Sequence, residues 1–193
     1  AVGGLVALFG NLAPGGAILK RSAADTSLFE TTGRAVVFTS LEDLAERIDT
    51  DDLDVKADDI LVLQNAGPKS PSGMPEAGYI PIPKKLAQAG VKDMIRISDC
   101  RMSGTAFGTI VLHVTPEAAM GGAIGLVQNG DEIRLSISNK SLELLVDDAE
   151  LDRRRQANPA RPARPSRGYA KLYADHVMQA DRGADFDFLM APS

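Results

Sequence analysis

Short runs of apolar and β-branched residues, each closed off by Gly, Pro, Asn or Asp, recur along the chain and constrain its fold more than any other feature. Residues 5–9, 17–19, 35–38 and 60–63 begin the series, and 94–97, 110–113, 124–127, 132–137 and 142–145 continue it. Runs of this kind make buried strands. Helical patterns interrupt them. Ser40 stands as an N-cap with acidic Asp43 three positions on, followed by Leu44, Ala45 and Ile48 at helical spacing. Residues 83–89 and 148–155 are further predicted helices, the second capped by Asp147. Many short strands with helices between them point to a mixed α/β domain whose sheet is closed or barrel-like rather than doubly wound and parallel. Asn129-Gly130 between apolar runs signals a hairpin turn. The glycines at 121, 122 and 125 match no phosphate-cradling pattern and read as tight turns and bulges between strands.

With 193 residues, 44% hydrophobic and 24% charged, the chain is long enough for one well-buried core and falls in the soluble globular class. A formal charge of -5 leaves no basic footprint for nucleic acid. The arginines at 153, 154 and 155, with those at 161, 164 and 167, are a local exception, read as a solvated helix end running into a linker. No apolar stretch approaches the ~20 residues of a membrane span, and no secretory leader pattern is present, so the expected location is the cytoplasm, with no membrane partner. Cys100 stands alone, which excludes an internal disulfide framework and a cysteine-ligated cluster built from this chain alone. A start on Ala1-Val2 followed by Gly-Gly reads as a piece of something longer.

The proline- and arginine-rich stretch PARPARPSR over residues 159–167 is too stiff for helix and too polar for core. It divides the chain into a barrel-like domain over 1–157, a linker over 158–167 and a helical tail over 168–193. In the tail, Tyr169, Leu172, Tyr173, His176 and Val177 share one helical face, fit to pack on a partner subunit or on the chain's own domain.

The densest chemistry lies in SDCRMSGTAFGT over residues 98–109. Ser103, flanked by Gly104 and Thr105 just after the apolar run 94–97, reads as a side chain carried out of a strand onto a tight turn. A serine hydroxyl must lose its proton to a neighbour or be held as an alkoxide by positive charge and amide donors before it can act. The pattern is not the G-x-S-x-G elbow of a hydrolase. A second segment, 67–76, follows the strand at 60–63 and ends on Glu76, its one acidic residue. His113 ends a strand pattern and reads as a buried, hydrogen-bonded histidine, His176 as a packing or interface residue, and Cys100 as a small core residue.

These motifs, with Met74-Pro75-Glu76 upstream and His113-Val114-Thr115-Pro116-Glu117-Ala118-Ala119 and Gly130-Asp131-Glu132-Ile133 downstream, resemble the C-terminal part of the dihydroxy-acid and sugar-acid dehydratases. The resemblance runs from Gly10-Asn11-Leu12-Ala13-Pro14 to Asp185-Phe186-Asp187-Phe188-Leu189. It implies a β-barrel-like swivelling domain flanked by helices, within a cytoplasmic, homo-oligomeric hydro-lyase that converts a 2,3-dihydroxy (sugar) acid to a 2-oxo-3-deoxy acid. It also implies an Fe-S cluster whose ligands lie outside this chain, Mg²⁺ held in part by Glu76, Ser103 as the base that takes the C2 proton, and Thr105 beside it on the substrate. In the family the cluster iron acts as Lewis acid on the departing 3-hydroxyl. The remaining ligands, a carbamylated lysine among them, belong to an N-terminal domain absent here, so this chain alone is expected to be inactive. The wording around Ser103 is closer to the aldonate (arabinonate) enzymes than to dihydroxy-acid dehydratase of branched-chain amino-acid synthesis. Two other classes stand beside this reading: a non-catalytic binding or assembly module, and a serine hydrolase with a base near Ser103.

Overall fold

The computed structural model describes residues 3–71, 79–102, 107–158 and 163–190. Among them are eight strands: β1 (Val6–Leu8), β2 (Gly16–Leu19), β3 (Glu30–Phe38), β4 (Ile60–Leu63), β5 (Arg96–Ser98), β6 (Ile110–Thr115), β7 (Glu132–Ser136) and β8 (Ser141–Leu144). They form one sheet in the order β1-β2-β6-β5-β4-β3-β7-β8. The central strands β3, β4, β5 and β6 run parallel, while the flanking pairs are antiparallel. The two ends of the sheet meet. Phe9 bridges to Ser141, its N–H donating to the Lys140 carbonyl at 2.9 Å and its carbonyl accepting from Leu142 N–H at 2.8 Å. Asn11 continues the closure with its side chain, donating to the Leu144 carbonyl at 2.8 Å and accepting from the Leu144 N–H at 2.7 Å. These bonds satisfy backbone groups that would otherwise form an open edge, so the sheet is a nearly closed barrel.

Strand alternation sorts the apolar residues into two layers. Ile60 and Val62 turn inward with Ala35, Val37, Ile97 and Val111, whereas Leu61 and Leu63 turn outward with Val36 and Phe38. All four residues of β4 are buried, as expected of a parallel strand covered on both faces. The outer layer is covered in part by α1 (Leu41–Arg47) through Leu44, with Ile48 at the helix C-cap packing beside it. Ser40 caps that helix, accepting from the Asp43 N–H at 3.2 Å. Three more helices follow: α2 (Lys84–Gln88), α3 (Asp148–Ala157) and α4 (Gly168–His176). Asp147 caps α3, accepting from the Glu150 N–H at 2.8 Å. No described helix is long and apolar enough to cross a membrane.

Three local expectations are corrected. The run at 124–127 is not a strand but part of a 3₁₀ turn, Ala123–Leu126. Its carbonyl partners explain why: the buried Gln64 amide donates to Ile124 O at 2.7 Å and Val127 O at 2.9 Å, bonds a neighbouring strand would otherwise supply. Asn129-Gly130 is therefore a turn between this 3₁₀ segment and β7, not a hairpin, and the Asn129 side chain accepts from Val37 N–H at 2.6 Å. The arginine run is not uniformly solvated. Arg154 is largely buried, pairs with both oxygens of Asp131 at 2.6 and 3.0 Å, and donates to the Leu126 carbonyl at 3.0 Å, fastening α3 to the barrel.

Candidate functional site

Loops that leave the carboxyl ends of parallel strands line the crevice where α/β sheets bind ligands. Here β4, β5 and β6 are parallel neighbours ending at Leu63, Ser98 and Thr115. The segment carrying Glu76 follows β4, and the segment carrying Ser103 and Thr105 follows β5. Glu76, Ser103 and Thr105 lie outside the described residues; the frame around them is described in full.

Asp99, 1% exposed, joins all three loops. One carboxylate oxygen accepts from Ala66 N–H at 3.1 Å in the loop after β4, and the other from Ala118 N–H at 3.0 Å in the loop after β6. Burial pushes its pKa up to about 6, against the pull of these backbone donors. Glu117 forms a second tie. Its carboxylate accepts from Lys69 N–H at 2.9 and 3.0 Å and from the Gln179 side-chain amide. Gly67 makes room for it, because a Cβ there would lie 2.4 Å from a Glu117 carboxylate oxygen. Burial is the main cause that raises Glu117 to about 7, and the Asp99 charge acts in the same direction.

The far ends of both segments return to one buried ion pair. Arg96 meets Asp93 at 2.7 Å, with both side chains almost fully enclosed. Arg96 donates to Ile80 O at 3.1 Å, fixing the chain after the Glu76 segment. Asp93 accepts from Thr109 N–H at 2.8 Å and Thr109 Oγ1 at 2.7 Å, fixing the chain after the Ser103 segment. Gly108, at φ +123°, allows this approach: a Cβ there would stand 1.9 Å from an Arg96 nitrogen. The residues bounding the two segments, Ala66 and Ile80 on one and Cys100, Met102 and Ile110 on the other, all pack in the outer layer. Both segments therefore start and finish on the same side of the sheet.

A cleft of about 560 Å³ opens at the carboxyl ends of β3 and β4, between Thr39, Asn65, Pro71, Gly122 and Arg155. Pro71 is the last described residue before the Glu76 segment. Asn65 adopts a left-handed conformation at φ +56° and donates from its side chain to Thr39 O at 3.0 Å, which turns the chain out of β4. Its walls combine the apolar side chains of Leu41, Pro71 and Leu126 with hydroxyl and amide groups, and Glu42 and Arg155 bring one charge of each sign.

Asp99 and Glu117 are engaged by backbone donors, so their chemistry is positional. Both stand within the family motifs, where the sequence assigns neither a role. The available signal was an acid inside a small, apolar neighbourhood, as in Pro116-Glu117-Ala118-Ala119. Lys69 and Gln179 carried no signal at all. Among the described residues, no group of three His, Cys, Asp or Glu side chains is placed to hold a metal ion. Cys100 is fully buried in the outer layer, the core role expected of it. His113 differs from expectation. It is half-buried at φ +56°, and its ring makes no hydrogen bond among the described residues, while burial and the nearby Arg101 charge favour the neutral ring. His176 is a packing residue in the tail, 2.8 Å from Asp187 and edge-on to Phe188.

Comparison with known proteins matches this frame to one family. The family model for dihydroxy-acid/6-phosphogluconate dehydratase C-terminal covers residues 1–184. L-arabinonate dehydratase of Rhizobium leguminosarum bv. trifolii is 50% identical over 97% of this chain and 32% of its own length. 6-Deoxy-6-sulfo-D-gluconate dehydratase of Pseudomonas putida is also 50% identical, with the same coverage. Dihydroxy-acid dehydratase of Syntrophobacter fumaroxidans is 42% identical over 94% of this chain and 32% of its own length. The chain thus spans about a third of the length of the curated relatives it matches. A barrel-like sheet with two motif segments slung between shared anchors, matched over nearly all its length, belongs to the dihydroxy-acid and sugar-acid dehydratase family as its C-terminal domain.

Proposed function

We propose that this chain is the C-terminal part of a hydro-lyase that dehydrates a sugar acid to its 2-oxo-3-deoxy acid. The observation that carries the reading is the common anchoring of the Glu76 and Ser103 segments, by Asp99 and Glu117 at one end and by Arg96 and Asp93 at the other. One substrate then meets both segments. Ser103 takes the proton from C2, the 3-hydroxyl departs as water, and the resulting enol becomes the ketone. Thr105 orients the substrate or the serine.

An Fe-S cluster needs several thiolates, and the single buried Cys100 does not fit that role. The cluster ligands are assigned to the rest of a longer polypeptide. Mg²⁺ takes several hard oxygen ligands, of which this chain contributes Glu76. The described residues do not compose either centre. The missing N-terminal domain, a division into a swivelling barrel-like domain over 1–157, a linker over 158–167 and a tail over 168–193, a homo-oligomer and a cytoplasmic setting complete the proposal.

A sugar acid is preferred over the branched-chain substrate because relatives named for sugar acids are 50% identical and the dihydroxy-acid dehydratase is 42% identical. The test is turnover by the full-length enzyme on L-arabinonate, other aldonates and 2,3-dihydroxy-3-methylbutanoate, read as 2-oxo acid formed. An aldonate should exceed the branched acid in kcat/KM by about tenfold or more, since a site built for extra hydroxyls discriminates strongly against their loss. The reverse preference would reject the sugar-acid assignment. Absence of 2-oxo acid from every substrate would reject the hydro-lyase.

A further inference from the structure

The C-terminal tail reaches back to the loop that follows β4. Gln179, beyond α4, uses both ends of its amide on Glu117: the nitrogen donates to the carboxylate, and the oxygen accepts from the Glu117 backbone N–H at 3.0 Å. The same carboxylate holds Lys69 N–H. Lys69 is tied twice more. Its carbonyl accepts from Ala163 N–H at 2.9 Å, and its ammonium donates to Ala174 O at 3.0 Å. A lysine on a surface loop ordinarily keeps its head in water. Here the main-chain donor, the main-chain acceptor and the ammonium are all engaged, and every partner lies in the linker, in the tail or in a group the tail holds.

We infer that residues 163–186 act as a strap across this loop, and that Gln179 is a positioning residue for the proposed reaction, acting through Glu117 on Lys69. The inference rests on the reading of this edge as the reacting one. Charged and titratable groups reach Glu117 from three elements: Asp99 from the loop after β5, Lys69 from the loop after β4, and Tyr173 from α4. Gln179 adds neutral bidentate contact where a second carboxylate would repel, unless a proton were shared between the two.

The test uses the full-length enzyme with Gln179→Ala and Gln179→Glu. Amide exchange is followed on a peptide spanning residues 64–71 and normalised to the unfolded rate, alongside kcat and KM on L-arabinonate. Gln179→Ala should speed exchange in that peptide by about tenfold or more, as a local opening does. It should lower kcat by about tenfold, as misplacement of a supporting loop does. Gln179→Glu should protect the peptide and turn over well at low pH, where the paired carboxyls share a proton, and should lose both as the pH rises. Wild type lacks that coupled loss. The Glu variant also keeps the inference testable if the Ala variant fails to fold. Unchanged protection in Gln179→Ala, or a Gln179→Glu enzyme with no such pH dependence, overturns the strap. Lost protection with unchanged kcat and KM overturns the positioning role. A wild-type enzyme inactive on every sugar acid rejects the proposed function instead, and the exchange result alone then upholds or overturns the strap.

Discussion

At the residue scale, the two acids that frame the candidate site are held in the wrong place for a charge. Glu117 titrates at about 7 against an ordinary 4.5, and Asp99 at about 6 against 3.8, each chiefly because burial disfavours the carboxylate. Their folded pKa values are raised, so between the unfolded and folded values the native chain holds protons that the unfolded chain has released. Their stabilising contribution is full below about pH 4 and is lost as the pH climbs toward 7. At ~1.4 kcal/mol per pKa unit, Glu117 alone accounts for a loss on the order of 3 kcal/mol. Glu117→Gln keeps the shape and removes the titration. Denaturant midpoints from pH 4.5 to 7.5 should therefore move in favour of the Gln variant as pH rises. A stability difference that stays constant over that range would show that Glu117 is not raised.

At the scale of elements, the loop after β6 shows how closely backbone is packed at this edge. Gly122 has an ordinary φ of -60°, yet a Cβ on it would stand 1.7 Å from the Pro116 carbonyl oxygen. Gly130 has open space around it and a left-handed φ of +93°. Gly122→Ala must push backbone aside, at a cost of roughly 1–3 kcal/mol or more. Gly130→Ala carries only conformational strain, about 1 kcal/mol. Urea midpoints of the two variants should fall in that order, and equal midpoints would mean that the loop yields freely.

The apolar runs at 35–38 and 60–63 were legible because burial on both faces leaves continuous apolar sequence in the second half of β3 and in β4. The first half of β3 was not. Glu30, Thr31, Thr32, Gly33 and Arg34 pair with β7 along the backbone, the Glu30 carboxylate also accepting from Ser136 Oγ at 2.6 Å, and their polar side chains lie on a more exposed face. The run at 124–127 has strand composition, and only the distant Gln64 amide explains why it winds into a turn. The Ser103 and Glu76 segments were visible as motifs, whereas the ties that frame them link residues far apart in sequence, such as Glu117 to Gln179, and leave no local pattern.

At the scale of the molecule, barrel closure and loop anchoring serve one arrangement. Phe9 and Asn11 seal the sheet against β8, the parallel centre presents neighbouring loops at one edge, and buried acids and an ion pair hold those loops at both ends. Ser103 is the group proposed to remove the C2 proton at this edge. The direct measurement is exchange of the C2 proton of a sugar acid with deuterated solvent, catalysed by full-length wild-type, Ser103→Ala and Thr105→Ala enzymes. Ser103→Ala should lose exchange and turnover by ~10²–10⁴-fold, the scale of losing a general base. Its thermal stability should hardly change, since a single hydroxyl contributes about 1 kcal/mol net. Thr105→Ala should lose less, because an orienting bond is removed and the base is kept. Exchange at the wild-type rate in folded Ser103→Ala enzyme would contradict the account and leave the motif as a structural turn.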